Sequence, residues 1–201
     1  VRVLLVSANF HPSVGGIERF TEVLGAGLAR RGHEVTVLCC RKDRAPLREA
    51  SAGLEIVRLP ATYALQEHFR VPYPLPAPWA LPRTLSRLLR STDVVHVQDA
   101  LYATSVATLL AARRRRVPSV LTQHVAFVPQ ASAMLDKAER VAIGTLGRCA
   151  RLATAVAPLN PAVAAGVTAT WGVAATVLPD YIVTTLWLCL AGRWVWPWIR
   201  R

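Results

Sequence analysis

A glycine pair, Gly15 and Gly16, lies in the loop over residues 9–16 and is the first feature of this sequence that suits ligand binding. Glycine lets a backbone approach a ligand closely, and the free N–H groups at a helix start favour an anion there. The alternative is an ordinary tight turn, in which glycine pairs are common. The loop matches neither G-x-G-x-x-G nor the P-loop pattern, so the sequence excludes a dinucleotide-binding fingerprint and a phosphate-cradling P-loop.

The segments around this loop must position it, and their patterns predict a buried strand, a helix and a second strand. The apolar run over 1–6 and the run over 34–40 are typical of strands buried on both faces of a parallel sheet. Residues 17–31 carry apolar side chains, including Phe20 and Val23, at helical spacing, and Gly32 stands where a helix C-terminal glycine would. This order predicts the opening of a doubly wound, mainly parallel, Rossmann-like α/β sheet, in which ligands bind beyond the carboxyl ends of the strands.

Strands and helices alternate along the rest of the chain. Further strands are predicted over 54–59, 94–97, 119–122, 152–156 and 175–178, and helices over 85–89, 102–115, 132–149 and 161–169. Residues 60–82 hold six prolines, which predicts a long irregular excursion of the kind that is usually functional. No linker divides residues 1–180, so they are expected to form one domain.

Composition narrows the class of protein. The chain has 201 residues, with 24 Lys+Arg against 12 Asp+Glu and 53% hydrophobic residues, which excludes a disordered polar chain. No signal peptide is recognised before the first apolar run. The four cysteines match no metal-ligand spacing and are too few for a disulfide scaffold, so no metal and a reducing compartment are expected. Aromatic residues are not interleaved with the arginine runs, which argues against nucleic-acid binding.

Three segments together carry a resemblance to a known family. HPSVGGIERFTEVLGAGLARRGHEVTVL over 11–38, DVVHVQDA over 93–100 and VLTQHV over 120–125 resemble the N-terminal domain of glycosyltransferase family 4, in this order and spacing. These are retaining enzymes of the GT-B fold, and they include mannosyltransferases that act on phosphatidylinositol. The resemblance covers roughly residues 1–180. It implies the N-terminal half of a GT-B fold, with hexosyl transfer from a nucleotide sugar to an acceptor hydroxyl and no cofactor beyond that substrate.

The resemblance also implies roles for single residues. Gly15 and Gly16 match the glycine pair that lies against the donor diphosphate, and His124 matches the catalytic histidine that contacts the donor sugar and helps to stabilise the transition state. A neutral imidazole can donate to a sugar hydroxyl or to the leaving oxygen, with its tautomer set by the group on its other nitrogen. The alternative for His124 is a histidine that ends a strand.

Three more residues are expected at the acceptor side or the edge of the cleft. Asp99 matches an acidic or polar position that can bind an acceptor hydroxyl, although an aspartate there also suits a helix N-cap. Glu18 lies in the first turn of the predicted helix, where the helix dipole alone favours a carboxylate. His11 is a loop residue that can contact a ligand. His96, in contrast, is expected to be a core histidine.

The remaining expectations concern the membrane and the end of the chain. The basic helix end Arg113–Arg116 suits a solvated helix C-terminus, and together with the aromatic segment over 63–79 it also suits an anionic, lipid-linked acceptor surface. This implies a cytoplasmic protein at the inner face of the cell membrane. Residues 181–201 are apolar and rich in Trp, and they depart from the family pattern as a truncation or frameshift would.

That departure limits the expected activity. The donor-binding second domain is then missing, and the chain alone is expected to be inactive. The alternative function is a catalytically inactive acceptor-binding or membrane-peripheral module.

Overall fold

The computed structural model describes residues 1–69, 73–124 and 133–177. Its strands are β1 Arg2–Val6, β2 Glu34–Cys40, β3 Arg48–Ser51, β4 Leu54–Leu59, β5 Ala61–Thr62, β6 Leu75–Pro76, β7 Val94–Gln98, β8 Ser119–Thr122 and β9 Ala155–Val156. Its helices are α1 Gly16–Arg30, α2 Ala64–Phe69, α3 Ala80–Leu88, α4 Ala103–Arg115, α5 Ala133–Leu146 and α6 Pro161–Trp171, and a 3-10 helix spans Gly147–Leu152.

Seven strands form one sheet in the order β3-β4-β2-β1-β7-β8-β9. The chain builds outwards from β1 to β2 and β4, then returns to the other side of β1 and builds β7, β8 and β9. Every pair is parallel except β3 with β4. The prediction of a doubly wound, mainly parallel α/β sheet is confirmed. Because the order reverses between β1 and β7, their carboxyl ends are the topological switch point at which such sheets hold ligands.

The core lies on both faces of this sheet because successive side chains of β1 point to opposite sides. Leu4 packs into the cluster that holds α3, α4 and α6, whereas Leu5 packs into the cluster under α1. Both leucines are almost completely buried. The continuous apolar run of β1 is therefore explained by burial on two faces, as the sequence predicted.

Helix α1 confirms the predicted segment with one difference on its surface. Gly15 is its N-cap, and Gly32 takes a left-handed φ of 81° while its N–H bonds the Ala29 carbonyl, as a glycine after a helix end does. Leu24 and Leu28 face the sheet. The helical spacing predicted Val23 on the same apolar face as Phe20, Leu24 and Leu28, but Val23 is 49% exposed, because only part of the apolar face of α1 is buried.

Other boundaries differ from the predictions. Residues 60–82 are more regular than expected, since they hold the β5-β6 ladder, α2 and the first turn of α3. Pro82 fits there because the first turn of a helix needs no N–H donor. Strand β3 was not predicted because its four residues are all exposed. The predicted strand over 175–178 is wrong for residues 175–177, which form no ladder, although Thr176 bonds the Val156 carbonyl.

Other predicted elements changed in length or lie partly outside the described residues. The predicted helix over 132–149 ends at Leu146 and gives way to the 3-10 helix, while Ser132 lies outside the described part. The strand predicted over 152–156 is shortened to β9. Leu178 and the Trp-rich segment 181–201 also lie outside the described residues, so the domain boundary at 180 stays a prediction.

Two adjacent cysteines, Cys39 and Cys40, end β2, which lies between β4 and β1 in the sheet. Both are free and buried, and burial raises the pKa of each thiol to about 12. Cys149 is also free, and it is half-buried. Nowhere in the described part of the chain is a helix both long enough and apolar enough to cross a membrane.

Candidate functional site

The loop between β1 and α1 brings the predicted glycine pair to the switch point. Gly15 and Gly16 are exposed, and a methyl group built on Gly16 would meet no other atom within 4 Å. A methyl group on Gly15 would instead collide with the Glu18 carboxylate, which turns back over the start of the helix. The positive end of the helix dipole therefore already has a carboxylate beside it, while the backbone at Gly16 stays open.

A buried arginine holds this loop in place. Arg58, near the end of β4, is 4% exposed and donates from Nε and Nη2 to the His11 carbonyl at 3.2 and 2.9 Å. It also donates to the Pro46 carbonyl at 3.0 Å and pairs with Glu49 at 2.8 Å. One guanidinium thus ties the glycine loop to the outer strand β3. The exposed imidazole of His11 lies 3.4 Å from the Glu22 carboxylate.

The ends of β7 and β8 carry a buried polar cluster. Asp99 follows β7 with a φ of 58°, in the left-handed region that aspartate tolerates. This turn lets its Oδ1 accept the backbone N–H of His124 at 2.9 Å, and its own N–H donates to the Thr122 carbonyl. Asp99 does not cap α4, whose N-cap position is Tyr102. It braces the ends of two neighbouring strands instead.

The imidazole of His124 is fixed on two sides. Its Nε2 lies 2.9 Å from the Gln98 Oε1, and its ring meets Phe20 edge-on with 4.9 Å between centroids. His124 is 8% exposed, and burial lowers the pKa of its imidazole to about 4. At neutral pH the ring is therefore uncharged. Because Phe20 belongs to α1, this contact joins the glycine loop to the end of β8.

His96 confirms the expectation of a core histidine. It is completely buried in β7, and its Nε2 lies 2.7 Å from the Thr122 hydroxyl. Burial, with a smaller contribution from nearby His124, lowers the pKa of His96 to about 3. The site thus holds two neutral imidazoles close together, that of His124 and that of the fully buried His96.

Two tyrosines lie within electrostatic range of the Glu18 carboxylate. Burial raises the pKa of Tyr63 and of Tyr102, and the negative charge of Glu18 adds to both shifts. Tyr63 also donates its hydroxyl to the Asn9 Oδ1 at 3.1 Å, at the start of the glycine loop. Residues from the loops after β1, β4 and β7 therefore share one edge of the sheet.

A polar cavity of about 700 Å³ opens beside Tyr63, beyond β2 and β4. Its lining includes Arg41, Lys42 and Asp43 on one side and Gln66 and Glu67 of α2 on the other. In the described residues no hydrogen bond or ion pair joins the Lys42 ammonium or the Glu67 carboxylate to another protein group. Unpaired donors and acceptors in one hollow suit a polyhydroxylated or phosphorylated ligand.

The structure brings most of the predicted site residues to one edge. Gly15, Gly16 and Glu18 lie at the start of α1, and Asp99 and His124 lie beyond the neighbouring strands, whereas His11 turns towards Glu22. Sequence reasoning missed four contributors: Gln98, Phe20, Arg58 and Tyr63. Only Gln98 had a usable signal, since it is a polar residue at the end of an apolar strand. Across residues 1–69, 73–124 and 133–177 no three metal-binding side chains come together.

Known structures share this fold. Sucrose-phosphate synthase (tll1590) from Thermosynechococcus elongatus superposes with a TM-score of 0.61 at 17% identity, over 89% of this chain and 47% of that one. A second structure of it gives a TM-score of 0.55 at 14% identity, over 98% of this chain and 99% of that one. This chain thus spans about half of the longer sucrose-phosphate synthase chain. At such identities the likeness shows the fold alone, which is the Rossmann-like fold of GT-B glycosyltransferases.

Sequence comparison gives the family. No curated protein sequence matches this chain significantly. The profile of the family described as Glycosyl transferase 4-like domain matches residues 15–196, which is most of the chain and includes both the glycine pair and the ends of β7 and β8. The chain therefore belongs to the Glycosyl transferase 4-like domain family.

Proposed function

We propose that this chain is the acceptor-side domain of a retaining glycosyltransferase that moves a hexosyl group from a nucleotide sugar to an acceptor hydroxyl. The observation that carries the proposal is the contact of Phe20, in the first turns of α1, with the His124 ring. It joins the start of α1, where the Glu18 carboxylate lies beside Gly15 but the backbone at Gly16 is open to a diphosphate, to a neutral imidazole that can hydrogen-bond a sugar. Both lie at the carboxyl edge of the sheet, the helix start at its switch point and His124 beyond the adjacent strand β8.

In this proposal the two parts of the site contact different groups of the donor. The backbone at Gly15 and Gly16 lies against the donor diphosphate, and His124 contacts the sugar. Asp99 acts mainly by bracing the His124 backbone, because its carboxylate already accepts that N–H at 2.9 Å and is 4% exposed. Preorganised polar groups of this kind stabilise developing charge without reorganising during the reaction.

The polar cavity beside Tyr63 is the proposed place of the acceptor. Arg41 and Lys42 offer cations to a phosphate, while Asp43 and Glu67 can accept hydrogen bonds from hydroxyls. Inositol phosphate combines these two kinds of group, so the cavity supports a specificity similar to that of phosphatidylinositol mannosyltransferases. Glu18, whose carboxylate lies beside Gly15, is then proposed to stand where the acceptor side meets the donor.

Transfer is proposed to need a donor-binding domain in addition to the residues of this chain. The resemblance to GT-B enzymes implies that the donor is held mainly by a second domain across a cleft. Catalysis there rests on positioning by both walls. The chain by itself is therefore expected to bind nucleotide sugars weakly and to show no transfer, and rapid transfer by the chain alone would contradict this.

Nuclear magnetic resonance of the ¹⁵N-labelled chain can test the donor site directly. Titration with UDP-glucose and GDP-mannose should shift the amide signals of Gly15 and Gly16 and the ring signals of His124, with millimolar affinity. Gly16→Asp adds a carboxylate where the diphosphate should lie and is expected to weaken binding about tenfold or more. Gly144→Asp is the matched control, because Gly144 also has open space around it. Unmoved signals at Gly16 and His124 would contradict the proposed function.

A second candidate function, a membrane-peripheral module, is favoured by an apolar strip on another face. Three shallow hollows lined mainly by Pro, Leu and Tyr side chains form this strip. The first and second share Leu75, the second and third share Leu110, and the lining of the third includes Arg114 and Arg115. Trp79, at the far end, is 62% exposed. Exposed aromatic and apolar residues next to arginines suit the surface of an anionic bilayer.

Vesicle sedimentation separates this candidate from the first. Binding to phosphatidylinositol vesicles should exceed binding to phosphatidylcholine vesicles, and Trp79→Ser with Arg114→Glu should remove most of the difference. Equal binding to both vesicle types would contradict the membrane-peripheral function. The nucleotide-sugar titration would be unaffected by that outcome, because the strip does not include the glycine loop.

A further inference from the structure

Gln98 is the only side chain in the described residues that bonds the His124 imidazole. It is the last residue of β7 and is completely buried, and its Oε1 lies 2.9 Å from His124 Nε2. In the sheet register Gln98 lies opposite Thr122, two residues before His124. The amide of one strand thus reaches across to the residue that follows the next strand.

The position of the His124 ring is set by other groups. Its backbone N–H is held by Asp99, and its ring packs edge-on against Phe20 at 4.9 Å. Neither contact distinguishes between the two ring nitrogens. Gln98 alone does so, because it contacts Nε2 and leaves Nδ1 without a hydrogen-bond partner in the described part of the chain.

The chemistry of the contact selects one tautomer. A neutral imidazole carries a proton on one nitrogen only, and an amide oxygen can accept a hydrogen bond but cannot donate one. Facing Gln98 Oε1, the proton belongs on Nε2, and the lone pair of Nδ1 remains free. The titratable groups close to the ring are His96 below it in β7 and Asp99 beside its backbone. Burial keeps both histidines neutral at pH 7.

Stability alone does not explain a glutamine at this position. The Gln98 Nε2 is buried and has no hydrogen-bond partner among the described residues. A buried amide that leaves its donors unpaired costs free energy that an apolar side chain of similar size would not. Among the residues that the structure describes, the Gln98 side chain bonds only His124. The hydrogen bond to the His124 imidazole therefore accounts for a glutamine at this position.

We propose that Gln98 is a positioning residue that holds His124 as the Nε2–H tautomer and leaves Nδ1 as the nitrogen that accepts a hydrogen bond from a ligand. The inference rests on the proposed function for its consequence: His124 accepts from a sugar hydroxyl through Nδ1 and does not donate to a leaving phosphate oxygen. The tautomer itself is a property of the free chain. It is measurable without any sugar or donor domain.

Long-range ¹H–¹⁵N correlation spectra of the histidine rings test the proposal at pH 7. The wild-type chain should show His124 as a single Nε2–H tautomer, with its signals assigned by their loss in His124→Gln. Gln98→Leu removes the acceptor, so a measurable population of the Nδ1–H tautomer should appear. Gln98→Glu restores an acceptor and should restore the single tautomer, while its charge raises the pKa of His124 above the wild-type value.

Gln123→Leu is the matched control. Gln123 is a buried glutamine at the same edge of the sheet, but its Oε1 accepts the Ala100 N–H at 3.0 Å. Its loss should leave the His124 tautomer unchanged. An Nδ1–H tautomer of His124 in the wild-type chain would overturn the proposal, and this measurement needs no folded variant. A Gln98→Leu spectrum identical to that of the wild type would overturn it as well. Neither result would affect the nucleotide-sugar titration, so failure here is distinct from failure of the proposed function.

Discussion

Gly15 and Gly16 are exposed, whereas Gln98, Asp99 and His124 are buried and hydrogen-bonded, although both groups lie at the same edge of the sheet. In the proposed function, the glycine loop offers backbone groups to a ligand and must stay open. The cluster at β7 and β8 offers one oriented side chain and must be packed around it. Substitutions in the loop should therefore change ligand binding, while substitutions in the cluster should change stability as well.

The largest expected effect is the acid sensitivity of the buried cluster. His96 and His124 have pKa values of about 3 and about 4 in the folded chain, against 6.5 as the ordinary value. The unfolded chain therefore binds more protons between pH 6.5 and 4, and stability falls as pH falls through that range. Each histidine should contribute roughly 3 kcal/mol to the loss.

Urea unfolding at a series of pH values measures this effect. His124→Gln should make the loss of stability between pH 6.5 and 4 smaller, because one buried imidazole no longer takes up a proton on unfolding. His68→Gln, at an exposed position in α2, serves as the control and should leave the slope unchanged. A wild-type stability that is flat between pH 6.5 and 4 would show that the cluster is not buried as described.

The next effect concerns the anchor of the glycine loop. Arg58→Ala leaves the His11 and Pro46 carbonyls without their donor and should lower the free energy of unfolding by about 2–4 kcal/mol. The loop would then lose its fixed position, so nucleotide binding should weaken too. Arg48→Ala is a matched control, because Arg48 is also paired with a glutamate but its side chain is 53% exposed. Its effect should stay below about 1 kcal/mol.

Equal effects of the two arginine substitutions would contradict the role of Arg58 as an anchor. Denaturant unfolding gives the stability, and the amide signals of Gly15 and Gly16 report the loop separately. If Arg58→Ala destabilises the chain without moving those signals, the anchor serves β3 rather than the loop.

The smallest expected effect on stability comes from substitutions in the glycine loop, and it separates the loop from the buried cluster because in Gly16→Ala binding and stability should change in opposite directions. Gly16→Ala adds a methyl group into open space in the first turn of a helix, so it should raise the free energy of unfolding by up to about 1 kcal/mol. In the proposed donor site the same methyl group would stand between the backbone and the diphosphate, so nucleotide binding should weaken. Gly15→Ala should instead lower the free energy of unfolding by up to about 1 kcal/mol, because Gly15 is the N-cap of α1, where alanine is less favourable than glycine, while the flexible Glu18 side chain can move away from the new methyl group. Unchanged nucleotide affinity in Gly16→Ala would remove the glycine pair from the donor site.

The fold was predictable to the extent that burial shows in the sequence. Strands β1, β2, β4, β7 and β8 are mostly buried because both faces of a parallel sheet are covered, and their apolar residues allowed all five to be predicted. β3 has four exposed residues, so only its pairing with β4 makes it a strand. Residues 175–177 had the pattern of a strand, but a single bond to Val156 builds no ladder.

The candidate site was predictable in its positions and not in its contacts. The glycine pair, Asp99 and His124 all follow apolar strands, so their common edge follows from the order of the elements. The contact of Gln98 with His124 depends on side-chain rotamers across two strands, and no local pattern encodes them. The burial of Asp99 was likewise hidden, because aspartate after a strand is usually exposed.

The adjacent thiols of Cys39 and Cys40 give this sheet a chemical probe of its own. Only thiolates react with alkylating reagents, and both side chains are buried with thiol pKa values of about 12, so labelling requires β2 to leave the sheet. Cys149 is half-buried and should be labelled earlier, and Cys189 lies outside the described residues. The rate at which Cys39 and Cys40 are labelled in native buffer then reports the opening of the central strands, without any substitution in the chain.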